Sequence, residues 1–183
     1  MTVNVSPRLP DGIERVLLSE SQIQRRVAEL GVELAAYYGN RKPLLVGVLT
    51  GAYVFMADLS RAMDIELDVE FMAVSSYGLA TSTSGAVRIL KDLDTAIEGR
   101  EVLIVEDIVD SGLTLSYLLD VLRRRNPRDI RVVALLKKTR TDVAPVAIDY
   151  LGFEIPDEFV VGCGLDAGRR FRNLPYIAVA LAS

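Results

Sequence analysis

Histidine is absent from this chain of 183 residues, and cysteine occurs once, at Cys163. Without histidine, Ser-His and Cys-His nucleophile pairs and imidazole metal ligands cannot be built. A single thiol excludes an internal disulfide and a thiolate zinc cluster. Cys163 lies in the apolar run FVVGCGL and reads as packing. Proton transfer must then fall to a carboxylate, Lys, Tyr or that thiol, and any metal to oxygen ligands, which suits magnesium. A basic surplus is also missing: the net charge of -4 argues against a general nucleic-acid binder. No apolar run reaches membrane-spanning length, and the N-terminus shows no basic-then-apolar pattern. The expectation is a cytoplasmic protein without a membrane or nucleic-acid partner. No internal repeat and no long linker appears, so residues 1–183 read as one domain with room for a core.

What is present alternates strands with helices. Residues 1–15, with Pro7, Pro10 and Gly12, read as a loose arm. SESQ at Ser19 to Gln22 fits a capping box, and Ile23, Val27, Leu30, Leu34 and Tyr37 follow at helical spacing. PLLVGVLT predicts a strand closed by Gly51, then a helix from about Ala52 to Met63. IELDVEFMAVSSY predicts a half-buried strand with Leu67, Val69, Phe71 and Ala73 inward. Gly78 to Ala86 is small, polar and aperiodic; a surface hairpin and a mobile lid over a site (77–86) are equally open. Further strands are expected at VRILKDL, REVLIVED, IRVVALLKK, AIDYLGF, EFVVGCGL and YIAVAL, and a helix at TLSYLLDVLRRR. This order predicts an α/β fold with a mainly parallel sheet.

The stretch VLIVEDIVDSGLTLSYLL concentrates the chemistry. A buried strand runs into a loop and then a helix, which places the loop at the carboxyl edge of the sheet, where open α/β folds bind ligands. Asp110 to Thr114 offers backbone N–H groups at a helix N-terminus, the hydroxyls of Ser111 and Thr114, and close approach at Gly112. Read alone, the same residues are a capped helix and a turn. Glu106 and Asp107 tip the balance, because acids ending an apolar strand need donors or cations. Sugar hydroxyls and a hydrated magnesium ion supply both. An anion loop flanked by acids therefore fits a phosphate carried on a ribose.

VLIVEDIVDSGLT resembles the phosphoribosyl-diphosphate signature of the type I phosphoribosyltransferases. LTGAYVFMADLSRAM, EFMAVSSYG, VRILKDLD, GFEIPDEFVVGCGLD and FRNLPYI follow in the order of the hypoxanthine-guanine branch, so the resemblance runs from about Val16 to Leu181. It implies a twisted, mainly parallel sheet flanked by helices, with a small hood formed by the chain-terminal segments. It implies transfer of phosphoribose to hypoxanthine or guanine with magnesium, in a homo-oligomer (dimer or tetramer). Other readings are a nucleotide sensor or RNA-binding regulator of the same fold, and a relative preferring xanthine or a pyrimidine, the last opposed by the C-terminal segment.

The resemblance also implies roles. Glu106 and Asp107 would hold the ribose hydroxyls, and Asp110, Ser111, Gly112, Leu113 and Thr114 the 5′-phosphate, with Asp110 as general base. Thr50, Gly51, Ser76, Tyr77 and Arg172 would meet pyrophosphate, Ser76 and Tyr77 opening the lid. Lys138 would donate to the purine 6-oxygen, Phe159 would stack on the base and the Val160 main chain would read its edge. Asp166 would lie at the purine site and join Glu106 and Asp107 at the metal. The residues alone leave Lys137 and Lys138 open as a solvated strand end, Phe159 as core, and Arg169, Arg170 and Arg172 as a solvated run. Three positions depart from the family: Thr50 stands where many relatives carry lysine, and Cys163 and Ala167 replace common tyrosines. A cis peptide at Leu49-Thr50 is expected from the same comparison.

Overall fold

Capping and periodicity set the first helix. In the computed structural model, which describes residues 9–77, 86–140 and 146–181, Ser19 and Gln22 close a capping box at the start of α1 (Glu20–Tyr38). Its buried stripe is Ile23, Val27, Leu30, Gly31, Leu34 and Tyr38. Tyr38 rather than Tyr37 completes the stripe; Tyr37 lies partly buried and donates its hydroxyl to Asp129. Ahead of this helix stands β1 (Ile13–Leu18) and after it β2 (Leu44–Leu49), α2 (Tyr53–Ala62), β3 (Asp68–Tyr77) and β4 (Ala86–Lys91). The chain continues through β5 (Glu101–Val109), α3 (Leu113–Arg123), β6 (Asp129–Lys138), β7 (Tyr150–Ile155), β8 (Val160–Val161) and β9 (Ile177–Ala180).

Six strands form the main sheet in the order β4-β3-β2-β5-β6-β7, with every pair parallel except β3 with β4. The apolar runs of the central strands follow from cover on both faces. Leu45, Leu103, Val105, Val133 and Leu135 pack with α1 and α2, whereas Val46, Val102, Ile104, Val132 and Ala134 pack with α3. The same two-sided cover corrects the inward set expected for β3. Met72 is its fully buried residue and faces the α3 side, Phe71 packs toward α1 and α2, and Val69 is exposed.

The chain-terminal segments make a second, antiparallel sheet, β1-β9-β8. The N-terminal arm is therefore shorter than its Pro and Gly content implies. Ile13 is buried and pairs with Ala180, because β9 offers its edge to residues 13–18. Of the expected lid, 77–86, residues 78–85 lie outside the described residues. Backbone pairing of Ser76 with Val87 and of Tyr77 with Ala86 brings the flanking strands together. Among the described residues no helix is long and apolar enough to cross a membrane.

Candidate active site

Three neighbouring parallel strands deliver the site. β5, β6 and β7 end side by side, with Val109 opposite Lys137 and Lys138 opposite Ile155. Residues at or just beyond these ends share the carboxyl edge of the sheet. Two adjoining cavities open there, of about 650 and 340 Å³, and both are lined by Gly51, Asp107, Ile108 and Asp110.

The larger cavity holds the anion loop. Ser111, Gly112, Leu113 and Thr114 line it. The capping alternative fails, because neither hydroxyl caps α3: its N-cap is Gly112, at φ 75°, with no side-chain hydrogen bond. A left-handed turn suits glycine. Thr114 falls in the first helical turn, and the Leu113 N–H reaches Ser111 Oγ only at 3.5 Å. The positive end of the helix thus lies at the cavity with no acidic residue in its first turn.

Glu106 and Asp107 border the same space. Glu106 is 6% exposed, and burial, reinforced by the charge of Asp107, holds its pKa well above the ordinary carboxylate range. Burial also lifts Asp107, to about 6, against the opposing pull of the Ile108 N–H, which donates to Oδ1 at 2.8 Å, and of Arg172. Gly51 explains how the preceding loop fits here. A Cβ on Gly51 would stand 1.5 Å from Asp107 Oδ2, and one on Gly164 would stand 1.9 Å from the Gly51 carbonyl oxygen. Only glycines let β5, the Thr50-Gly51 turn and the Gly162–Gly164 loop come this close. The Leu49-Thr50 peptide is cis.

The smaller cavity brings together Thr50, Lys138, Phe159, Val160, Asp166 and Arg172. Lys138 is not a solvated strand end: its side chain is 11% exposed and lies 2.9 Å from Asp110 and 3.2 Å from Asp157. Lys137, on the opposite face of the strand, is the solvated one and pairs with Glu154. Phe159 is not core, since it remains 57% exposed at the cavity rim. Arg172 is engaged with Asp166 at 2.6 Å and donates to the Gly164 carbonyl. The other Asp166 oxygen accepts from the Arg169 N–H at 2.6 Å.

The metal set expected at Glu106, Asp107 and Asp166 is not assembled as a cage. Among the described residues no three His, Cys, Asp or Glu side chains group to hold an ion, and both Asp166 oxygens already accept from Arg172 and Arg169. Of the basic run, Arg170 lies over the Phe171 ring rather than in the cavity. Cys163 is buried and its thiol is pushed up to about 12 by burial, as packing requires. The side chains of Ser76 and Tyr77 lie outside the described set.

Two participants escaped the sequence reading. Arg140 lines the larger cavity, 2.9 Å from Asp110 and 3.4 Å from Asp157. Asp157 sits between Lys138 and Arg140. The two-residue period of an extended chain, which puts residues 138 and 140 on one side, is the signal that points to Arg140. Asp157 carries no comparable local signal.

Comparison with known proteins identifies the family. The description of a phosphoribosyl transferase domain matches residues 17–167. The chain is 55% identical over 167 residues to the hypoxanthine-guanine phosphoribosyltransferase of Bacillus subtilis, covering 91% of this chain and 93% of that one. It is 54% identical over 174 residues to the enzyme of the same name from Mycobacterium tuberculosis, covering 92% and 86%. A crystal structure of a Staphylococcus aureus hypoxanthine phosphoribosyltransferase superposes with a TM-score of 0.89 at 42% identity, covering 93% of each chain. With the strand-end acids, the anion loop and the match over most of its length, this chain belongs to the phosphoribosyl transferase family.

Proposed function

We propose that the protein transfers the 5-phosphoribosyl group of 5-phosphoribosyl-1-diphosphate to N9 of hypoxanthine or guanine, giving the nucleoside monophosphate and pyrophosphate. One observation carries this reading: Asp110 and Lys138 meet at 2.9 Å between the anion loop and the exposed ring of Phe159. A carboxylate and an ammonium so placed fit the N7 proton and the 6-oxygen of one purine face. Relatives sharing about half of its residues are named for that pair of bases.

The 5′-phosphate rests on the amides and hydroxyls of 111–114, and the ribose hydroxyls on Glu106 and Asp107. The diphosphate extends toward the Thr50-Gly51 main chain, Arg172 and the Ser76–Tyr77 strand end. Thr50 brings a hydroxyl but no positive charge, so the turn holds pyrophosphate through its backbone. Breaking the anomeric C–O bond leaves positive charge on the ribose and negative charge on pyrophosphate, which the fork of Arg172 stabilises once it turns from Asp166. Asp110 accepts the N7 proton, worth about 10²- to 10⁴-fold. Phe159 and the Val160 main chain orient the base, and Lys138 fixes its 6-oxygen. Glu106 and Asp107 fit a magnesium ion, which is held by one or two carboxylates together with substrate oxygens rather than by an all-protein cage. Bound there, it supplies Lewis-acid stabilisation of the leaving group. Asp166 holds Arg172 beside the cavity until the diphosphate takes the guanidinium over.

The test is pyrophosphate release with magnesium across hypoxanthine, guanine, xanthine, adenine and uracil. Release with hypoxanthine or guanine is expected. Nucleotide binding without release from any base would instead identify a sensor of the same fold.

A further inference from the structure

Asp110 is committed to two cations before any substrate arrives. Lys138 Nζ lies 2.9 Å from its Oδ2 and Arg140 Nη1 lies 2.9 Å from its Oδ1. Each oxygen of the proposed base thereby accepts from a cation, and Lys138, the proposed reader of the 6-oxygen, is held in the same cluster. A purine that engages Asp110 and Lys138 competes with these contacts. Loosening the Lys138 contact removes the nearer of two carboxylates from an ammonium that is only 11% exposed, and a buried charge that loses a partner is costly.

Asp157 resolves this. Its Oδ1 lies 3.2 Å from Lys138 and its Oδ2 lies 3.4 Å from Arg140, so it meets both cations as Asp110 does. The contacts to Asp157 are the longer pair and have room to tighten. We propose that Asp157 is a positioning residue that takes over Lys138 when Asp110 turns to the purine. It keeps the ammonium aimed at the base and leaves the Asp110 carboxylate able to accept a proton. The topology supports the assignment. Asp110, the cation pair and Asp157 follow β5, β6 and β7 in spatial order, so the two carboxylates flank the cations from opposite sides. Asp157 is also two residues before Phe159, whose carbonyl is fixed by the Ala180 N–H at 3.0 Å. One short segment therefore supplies both the stacking ring and the counter-charge.

The inference rests on the proposed function, and its test separates the two. Steady-state constants are measured for the parent, Asp157→Asn and Asp157→Glu, with hypoxanthine and phosphoribosyl diphosphate each varied. Thermal unfolding is followed in parallel. Asparagine keeps the size and removes the charge. Expected is a rise in the hypoxanthine KM of about 10- to 100-fold, the range for a lost hydrogen bond to a charged group. The diphosphate KM should change less than twofold, and Asp157→Glu should recover most of the loss. A structural role would move both KM values and the melting temperature together. A parent active on hypoxanthine with an Asp157→Asn variant like it would overturn this inference alone. A parent inactive on every base would overturn the functional reading and the inference with it.

Discussion

Asp107 makes a site carboxylate into a stability liability, and replacing it should strengthen the fold while disabling the site. Burial raises its pKa from 3.8 to about 6. A carboxyl whose pKa is higher in the folded state binds protons more tightly there than in the unfolded chain. Below about pH 4 both states are protonated and burial carries no charge cost. Above about pH 6 both are ionised and the native state bears the whole cost of holding that charge. Stability therefore falls as pH rises between these limits. The displacement corresponds to about 3 kcal/mol, and because Asp107 retains some exposure the realised figure should lie nearer 1–3 kcal/mol. Asparagine fits the same space, since its carbonyl can still accept from the Ile108 N–H, as Oδ1 does at 2.8 Å. Asp107→Asn should match the parent at pH 4 and exceed it by about 1–3 kcal/mol at pH 8. Urea unfolding at unit pH steps, with equal m-values as the control, gives the difference curve, which also carries the release of Glu106 from the neighbouring Asp107 charge. Saturating phosphoribosyl diphosphate with magnesium should stabilise the parent strongly and the variant weakly, because only the parent offers the charge that the ribose and cation need. An Asn variant that is less stable at pH 8, or a difference that does not change with pH, would refute the reasoning.

Other perturbations read other parts of the site. Asp110→Asn should retain the fold and diphosphate binding and lower the single-turnover rate by about 10²- to 10⁴-fold; an unchanged rate removes Asp110 from proton transfer. Phe159→Ala should leave stability within about 0.5 kcal/mol, because the ring is 57% exposed, yet raise the purine KM by at least about fivefold through lost stacking; parallel losses in both would mean the ring is structural. Gly51→Ala should cost about 1–3 kcal/mol and weaken diphosphate binding, since the new methyl would meet Asp107 Oδ2 at 1.5 Å; calorimetry with the diphosphate checks it, and full-strength binding would count against the tight turn. Lys138→Gln should narrow the preference for hypoxanthine over adenine, because an ammonium only donates whereas an amide offers either partner; an unchanged ratio of kcat/KM values would dismiss Lys138 as the base reader.

How much of this was legible in the sequence depends on how far apart the partners lie along the chain. The strand, turn and helix of the proposed anion loop were legible because they are contiguous from Val102 to Leu119, and a local motif carries its own geometry. The edge strands were less so. The inward set of β3 was misread because alternation assumes one solvated face, whereas Met72 and Phe71 each meet cover. Ile13 gained a partner only from Ala180, at the far end of the chain.

The ionic cluster shows the limit in sharper form. Asp110, Lys138, Arg140 and Asp157 are each ordinary in their own segments: a turn acid, a strand-end pair of bases, an acid after a proline. Nothing local says that Asp157 rather than Glu158 reaches the two bases, yet Glu158 turns away to Arg15 while Asp157 turns to Lys138. The choice is made by the register of β7 on β6, which sets Ile155 against Lys138 and so fixes which of the following acids reaches the ammonium. Register is a property of the assembled sheet. A chain can thus spell out a strand, a turn and a helix N-terminus in a dozen adjacent residues, while the charges gathered beside them become readable only when three strands have been laid side by side.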